Sequence, residues 1–106
     1  MSDIILVYTT FEDKEEAIKL SKMLLEKKLI ACAQIDATVD SIYWWKGTIE
    51  QTQEFRLVMK SNQGLWEELV SVIEQHHSYD IPEIVAVQVA SSNRKYQQWV
   101  QETVKR

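Results

Sequence analysis

The chain has 106 residues, 45% of them hydrophobic and 26% charged, with a formal net charge of −4 and a sequence pI near 5.1. That length fits one domain over residues 1–106 with a core of its own, and the acidic balance argues against a nucleic-acid backbone as partner. No apolar run approaches the roughly 18 residues of a membrane span, and Met1-Ser2-Asp3 does not open a secretory signal. The expectation is a cytoplasmic protein without membrane contact, in keeping with a lone Cys32 that has no internal disulfide partner.

Ile4–Thr9 is a short, continuous apolar run, the pattern of a strand covered on both faces. Thr10 offers a helix N-cap oxygen with Asp13 at capping-box spacing. Acidic residues then crowd the first turns, and Lys27-Lys28 closes the segment, an order that complements a helix dipole. Between them Ala17, Leu20, Ser21, Leu24 and Leu25 form one apolar stripe. Leu29–Ile35 reads as the next strand, and Asp36–Asp40 as an interruption before it resumes.

Ser41–Trp45 and Thr48–Lys60 are two β-branched and aromatic runs that meet at Lys46-Gly47, a two-residue turn with glycine second. That turn sets Trp45 opposite Thr48, Trp44 opposite Ile49, Tyr43 opposite Glu50 and Ile42 opposite Gln51. The second arm, about 13 residues, exceeds an ordinary strand of about 5–6. Its surplus edge needs a partner, the first sign of an oligomer. Ser61 or Asn62 can cap a second helix with Leu65, Trp66, Leu69, Val70 and Ile73 on its stripe, ending near His76-His77. Pro82 blocks further helix and biases Ile81 to extended geometry. Ile84–Ala90 reads as another buried strand, and Ser91–Asn93 as caps for a last helix with Tyr96, Trp99, Val100 and Thr103 on one side.

The order is β-α-β-β-α-β with an extra C-terminal helix. Right-handed crossovers put both crossover helices on one face of an antiparallel sheet, an α+β fold of the ferredoxin-like kind with a long hairpin.

The catalytic inventory is thin, and an enzyme is not expected. Two glycines leave no phosphate-cradling loop and no dinucleotide fingerprint, so no organic cofactor is expected. Metal-binding cysteine pairs, a zincin helix and a nucleophile elbow are all missing. His76-His77-Ser78-Tyr79-Asp80-Ile81-Pro82-Glu83 concentrates imidazoles, a phenol and carboxylates at a helix end. Imidazole suits Cu(II) and Zn(II), but histidines at a helix terminus equally act as caps, and adjacent helical residues diverge by about 100°. Both readings stay open. Glu54 and Lys60 alternate onto one ribbon face with Glu50 and Arg56, an ion-pair face in solvent or at an interface, with a buried ligand-holding role as the lesser alternative. Trp44 and Trp45 point to opposite faces, and the one turned from the core is an interface anchor.

Val7-Tyr8-Thr9-Thr10, Lys28-Leu29-Ile30-Ala31-Cys32-Ala33 and Ser41-Ile42-Tyr43-Trp44-Trp45-Lys46-Gly47 with Ile49 occur in a telling order. Glu54, Lys60, His77-x-Tyr79-x-x-Pro82-Glu83-Ile84 and Tyr96-x-x-Trp99 complete it. Taken together, from Val7 to Trp99, they resemble the CutA family of divalent-cation tolerance proteins. The resemblance implies a ferredoxin-like subunit in a tight homotrimer, copper tolerance, and binding of copper or other divalent ions. It implies a copper site at His76 and His77, joined in some bacterial members by a cysteine where this chain has Tyr8. A phenol is the poorer copper ligand, so weak Cu(II) or Zn(II) binding is what the resemblance leaves. The runner-up is a trimeric small-ligand sensor resembling PII-type regulators, with its ligand in the clefts between subunits, near Trp45, Glu54, Lys60 and Tyr79. Trp44 and Trp99 join these as cleft or interface residues. A scaffold presenting its surface to a partner protein is the third reading.

Overall fold

The computed structural model describes residues 3–105. β1 (Ile4–Phe11), β2 (Cys32–Trp45), β3 (Thr48–Asn62) and β4 (Val85–Gln88) form one antiparallel sheet in the order β2-β3-β1-β4. With α1 (Lys14–Glu26), α2 (Trp66–His76) and α3 (Arg94–Thr103) interleaved, the architecture is ferredoxin-like α+β with an added helix. Val7, Leu57 and Met59 are fully buried and cluster with Leu20 and Leu24 of α1 and Leu69 and Ile73 of α2. Alternation turns Tyr8, Val58 and Lys60 to the opposite face. There Lys60 Nζ stands 5.9 Å over the ring of Tyr96, which opens α3.

β1 runs two residues further than the sequence pattern predicts. Thr10 is paired with Arg56 in the ladder and cannot also cap a helix. The cap is Asp13, whose carboxylate accepts from Glu15 N at 3.0 Å, with Glu15 and Glu16 adding favourable charge to the first turn. Ala17, Leu20, Ser21 and Leu24 bury as expected, while Leu25 sits at the exposed margin of the stripe. Lys28 adopts φ 60, the left-handed turn residue that lets the chain leave the helix. Leu29 and Ile30 are fully buried, but they lie in this connection and not in the strand. Ser61 Oγ fastens the connection by donating to Leu29 O at 2.6 Å.

The ribbon has the register read from the sequence, from Trp45 opposite Thr48 to Ile42 opposite Gln51. Lys46 and Gly47 hold φ 49 and 85, two consecutive positive values that match the twist of the arms. Asp36–Asp40 does not break β2. A bulge between Ile35 and Thr38 absorbs the irregularity and the strand continues. Asn62 accepts from Gly64 N at 2.9 Å and caps a 3₁₀ turn, Gln63–Leu65, that leads into α2.

β4 corrects one expectation. Its apolar sequence reads as buried, yet Val85 and Val87 are 47% and 52% exposed. The strand lies on the sheet edge, held by β1 on one side only. Apolar composition records that a surface needs cover, and does not say that the same chain provides it.

Candidate functional site

The segment after α2 folds back against the end of β1, and His77 is its pin. The imidazole stacks on Phe11 with centroids 4.1 Å apart and planes 9° from parallel. Nε2 donates to Thr10 O at 2.9 Å, with the Thr9 hydroxyl 3.1 Å away, and Nδ1 accepts from Tyr79 N at 3.1 Å. Both ring nitrogens are therefore engaged and the tautomer is set. Burial pushes the His77 pKa below its usual 6.5. The bond to Thr10 and the charges of Glu16 and Glu54 act against that fall.

His76 behaves differently. It is exposed on the last turn of α2, and Nδ1 donates to Val72 O at 3.0 Å, which leaves Nε2 carrying the lone pair. The two imidazoles make separate contacts, and both nitrogens of His77 are engaged in hydrogen bonds.

The next ring links the loop to the ribbon. Tyr79 Oη donates to Glu54 Oε2 at 2.6 Å. Burial, then the Glu54 hydrogen bond and charge, with Glu12 and Tyr43 further off, raise the Tyr79 pKa and keep the phenol protonated. Glu54 is only 7% exposed, so it does not belong to a solvated ion-pair face. Arg56 instead pairs with Asp36 at 2.8 Å, and Lys60 donates to Gln34 at 2.6 Å. The partner of Glu54 lies 25 residues downstream, beyond the reach of a local pattern.

Between the ribbon and the 78–83 loop lies a groove of about 950 Å³. Tyr43, Trp44, Trp45 and Tyr79 are its rings. Its carboxylates are Glu12, Glu50, Glu54, Asp80 and Glu83, and no lysine, arginine or histidine lines it among the described residues. Of the residues grouped from the sequence, Trp45, Glu54 and Tyr79 line this groove within one chain, while Lys60 is directed to Gln34 and Tyr96. Trp44 is 71% exposed, and Trp99 on α3 is exposed beside Tyr96, away from the groove lining. Glu12 and Tyr43 were not identifiable as site residues, because only the return of the loop past the end of β1 brings them into one cavity.

Among the described residues no three histidine, cysteine, aspartate or glutamate side chains gather where they could hold one ion. Cys32 is a free, half-buried thiol on β2. A single imidazole nitrogen on His76 is the accessible soft donor of the histidine pair.

The whole arrangement has close counterparts. The family model for the CutA1 divalent ion tolerance protein matches residues 5–103. The divalent-cation tolerance protein CutA of Pyrococcus horikoshii is 42% identical, over 97% of this chain and 100% of its own length. That of Thermotoga maritima is 37% identical, over 95% of this chain and 99% of its own. The crystal structure of CutA from Xylella fastidiosa superposes with a TM-score of 0.94 at 32% identity, covering 98% of this chain and 100% of that one. No helix among the described residues is long and apolar enough to cross a membrane. With a family match over residues 5–103 and relatives of the same name matched over nearly their full length, the chain belongs to the CutA family of divalent-cation tolerance proteins.

Proposed function

We propose that this protein serves divalent-cation tolerance as a cytoplasmic homotrimer that contacts copper, or another divalent cation, weakly and through His76. The observation that carries the metal reading is the His76 Nε2 lone pair, exposed and left free by the Nδ1 bond to Val72. Imidazole nitrogen in that state suits Cu(II) and Zn(II). His77 joins such a site only by giving up the bond from Tyr79 N. Isothermal titration with Cu(II) tests the reading: His76→Ala abolishes the binding, and His77→Ala leaves its affinity within about twofold. Unchanged affinity in His76→Ala overturns it.

The trimer reading rests on the ribbon, which projects Ile42, Trp44 and Ile49 into solvent, and on the exposed edge of β4. Tryptophan and isoleucine at such exposure are interface material. The number three is what the family resemblance implies. The protein acts by binding and not by catalysis. His77 Nε2, the nitrogen near the Thr9 hydroxyl, carries a proton toward Thr10 O and has no lone pair with which to act as a base. A cytoplasmic setting fits the free thiol of Cys32.

A second reading, a small-ligand sensor, is favoured by one observation, the groove in which Trp45, Glu54 and Tyr79 meet. Its volume falls within the range of about 300–1,000 Å³ typical of ligand pockets.

A further inference from the structure

We propose that Val104 and Lys105 form a strap across the 28–31 connection, and that strap and connection open together as one unit while the sheet stays folded.

The connection between α1 and β2 lies outside helix and sheet, so its backbone groups find their partners singly. Leu29 N donates to Leu24 O at 3.0 Å, and Ala31 N to Lys60 O at 2.8 Å. Two of its carbonyls are fastened from elsewhere in the chain. Ser61 Oγ donates to Leu29 O, and Lys105 N donates to Lys28 O at 2.9 Å. Lys28 holds φ 60, a conformation that a residue other than glycine keeps only where its surroundings impose it. The strap thus grips the strained residue itself. Leu29 and Ile30, fully buried, follow directly, so release of this turn brings apolar surface to water.

The strap has one anchor. Val104 is extended past the end of α3, only 5% exposed, and belongs to the core cluster with Leu29 and Ile30. Lys105 Nζ reaches Glu68 at 2.7 Å, but both side chains are nearly half exposed, and such a pair adds little. A groove of about 450 Å³ runs along the flank, lined by Asn62, Gly64, Leu65 and Gln101 together with Val104 and Lys105. Packed on one side and open on the other, the strap can lift without disturbing the β1–β3 ladder. What it holds is the root of β2, the strand that runs on into the ribbon.

Native-state hydrogen exchange on the intact protein reads such a unit directly. The amides of Leu29, Ala31 and Lys105 are expected to share one opening constant, larger than that of the β1–β3 ladder and only weakly dependent on denaturant. Val104→Ala is expected to raise the shared constant about tenfold. Lys105→Ala removes the ion pair but keeps the N–H, and is expected to change it by less than about threefold. Lys105 exchanging alone as a frayed end, with Leu29 and Ala31 slow, overturns the strap. Exchange of all three together with the ladder overturns it too, because the connection then opens only with the whole molecule. Leu29 and Ala31 unmoved in Val104→Ala, while Lys105 exchanges faster, would leave Ser61 as the fastener and refute the coupling. Should Val104→Ala fail to fold, the grouping of amides in the wild type still decides.

Discussion

The Tyr79 hydroxyl and the Glu54 carboxylate meet at 2.6 Å, and through that bond the loop after α2 is tied to the middle of β3. Tyr79→Phe removes the donor and leaves a nearly buried carboxylate short of a partner. An unsatisfied buried polar group costs about 1–3 kcal/mol, and more when charged. The expected result is a lower urea midpoint with an unchanged slope. Tyr79→Phe as stable as the wild type would show that water replaces the phenol without loss. Because the Tyr79 pKa is raised, the folded state holds its phenol proton where the unfolded chain releases it. This contribution to stability is intact below pH 10 and declines as pH rises above it.

His77 gives the opposite pH dependence. Its folded pKa lies below 6.5, so on the acid side of 6.5 the unfolded chain binds the proton more readily. The stability contributed by the neutral ring is complete above that pH and is lost as pH falls through the folded pKa. Protonation of Nδ1 would also set two donors, the ring and Tyr79 N, against each other. Unfolding midpoints between pH 7.5 and 5 are expected to fall more steeply in the wild type than in His77→Gln. Parallel profiles would remove His77 as the source.

At the ribbon tip, Gly47→Ala tests backbone geometry alone. A Cβ there meets nothing within 4 Å, but φ is 85, a conformation that L side chains rarely adopt. The expected cost is about 1 kcal/mol, read as a fall in the midpoint of chemical unfolding. No change would mean that the turn relaxes to another type.

Trp44→Ser combined with Ile49→Ser removes a cross-strand pair that is exposed in the single chain. Far-UV circular dichroism is expected to be unchanged, because neither residue belongs to the core cluster. Light scattering is expected to report a lower mass than the wild type. A wild type that is itself monomeric at micromolar concentration would contradict the assembly.

The residues that were easy to read are those whose partners are near in sequence. Lys46-Gly47 dictates a turn, and the turn dictates every pair from Trp45–Thr48 outward. The stripes of α1 and α2 were likewise plain, since Leu20, Leu24, Leu69 and Ile73 repeat at helical spacing. What sequence could not supply was long-range placement. Thr10 looked like a cap because nothing local shows that Arg56 holds it in a ladder. His77 fitted both a cap and a metal ligand, and only the stack on Phe11 and the Thr10 carbonyl reveal a third role. The burial of Glu54 under Tyr79 is hidden from a local pattern for the same reason.

The bulge between Ile35 and Thr38 has a consequence for which way β2 faces. Before it, Ala33 and Ile35 pair with Met59 and Leu57 and share their inward side. After it, Thr38 pairs with Phe55, so even-numbered residues inherit that side and the strand changes parity. Ile42 and Trp44, with Ile49 opposite, therefore prolong the same wall that α1 and α2 roof over further back. The inner lining of this fold extends past its own roof, and a neighbouring molecule that completes the shelter would be finishing a core that one chain leaves open.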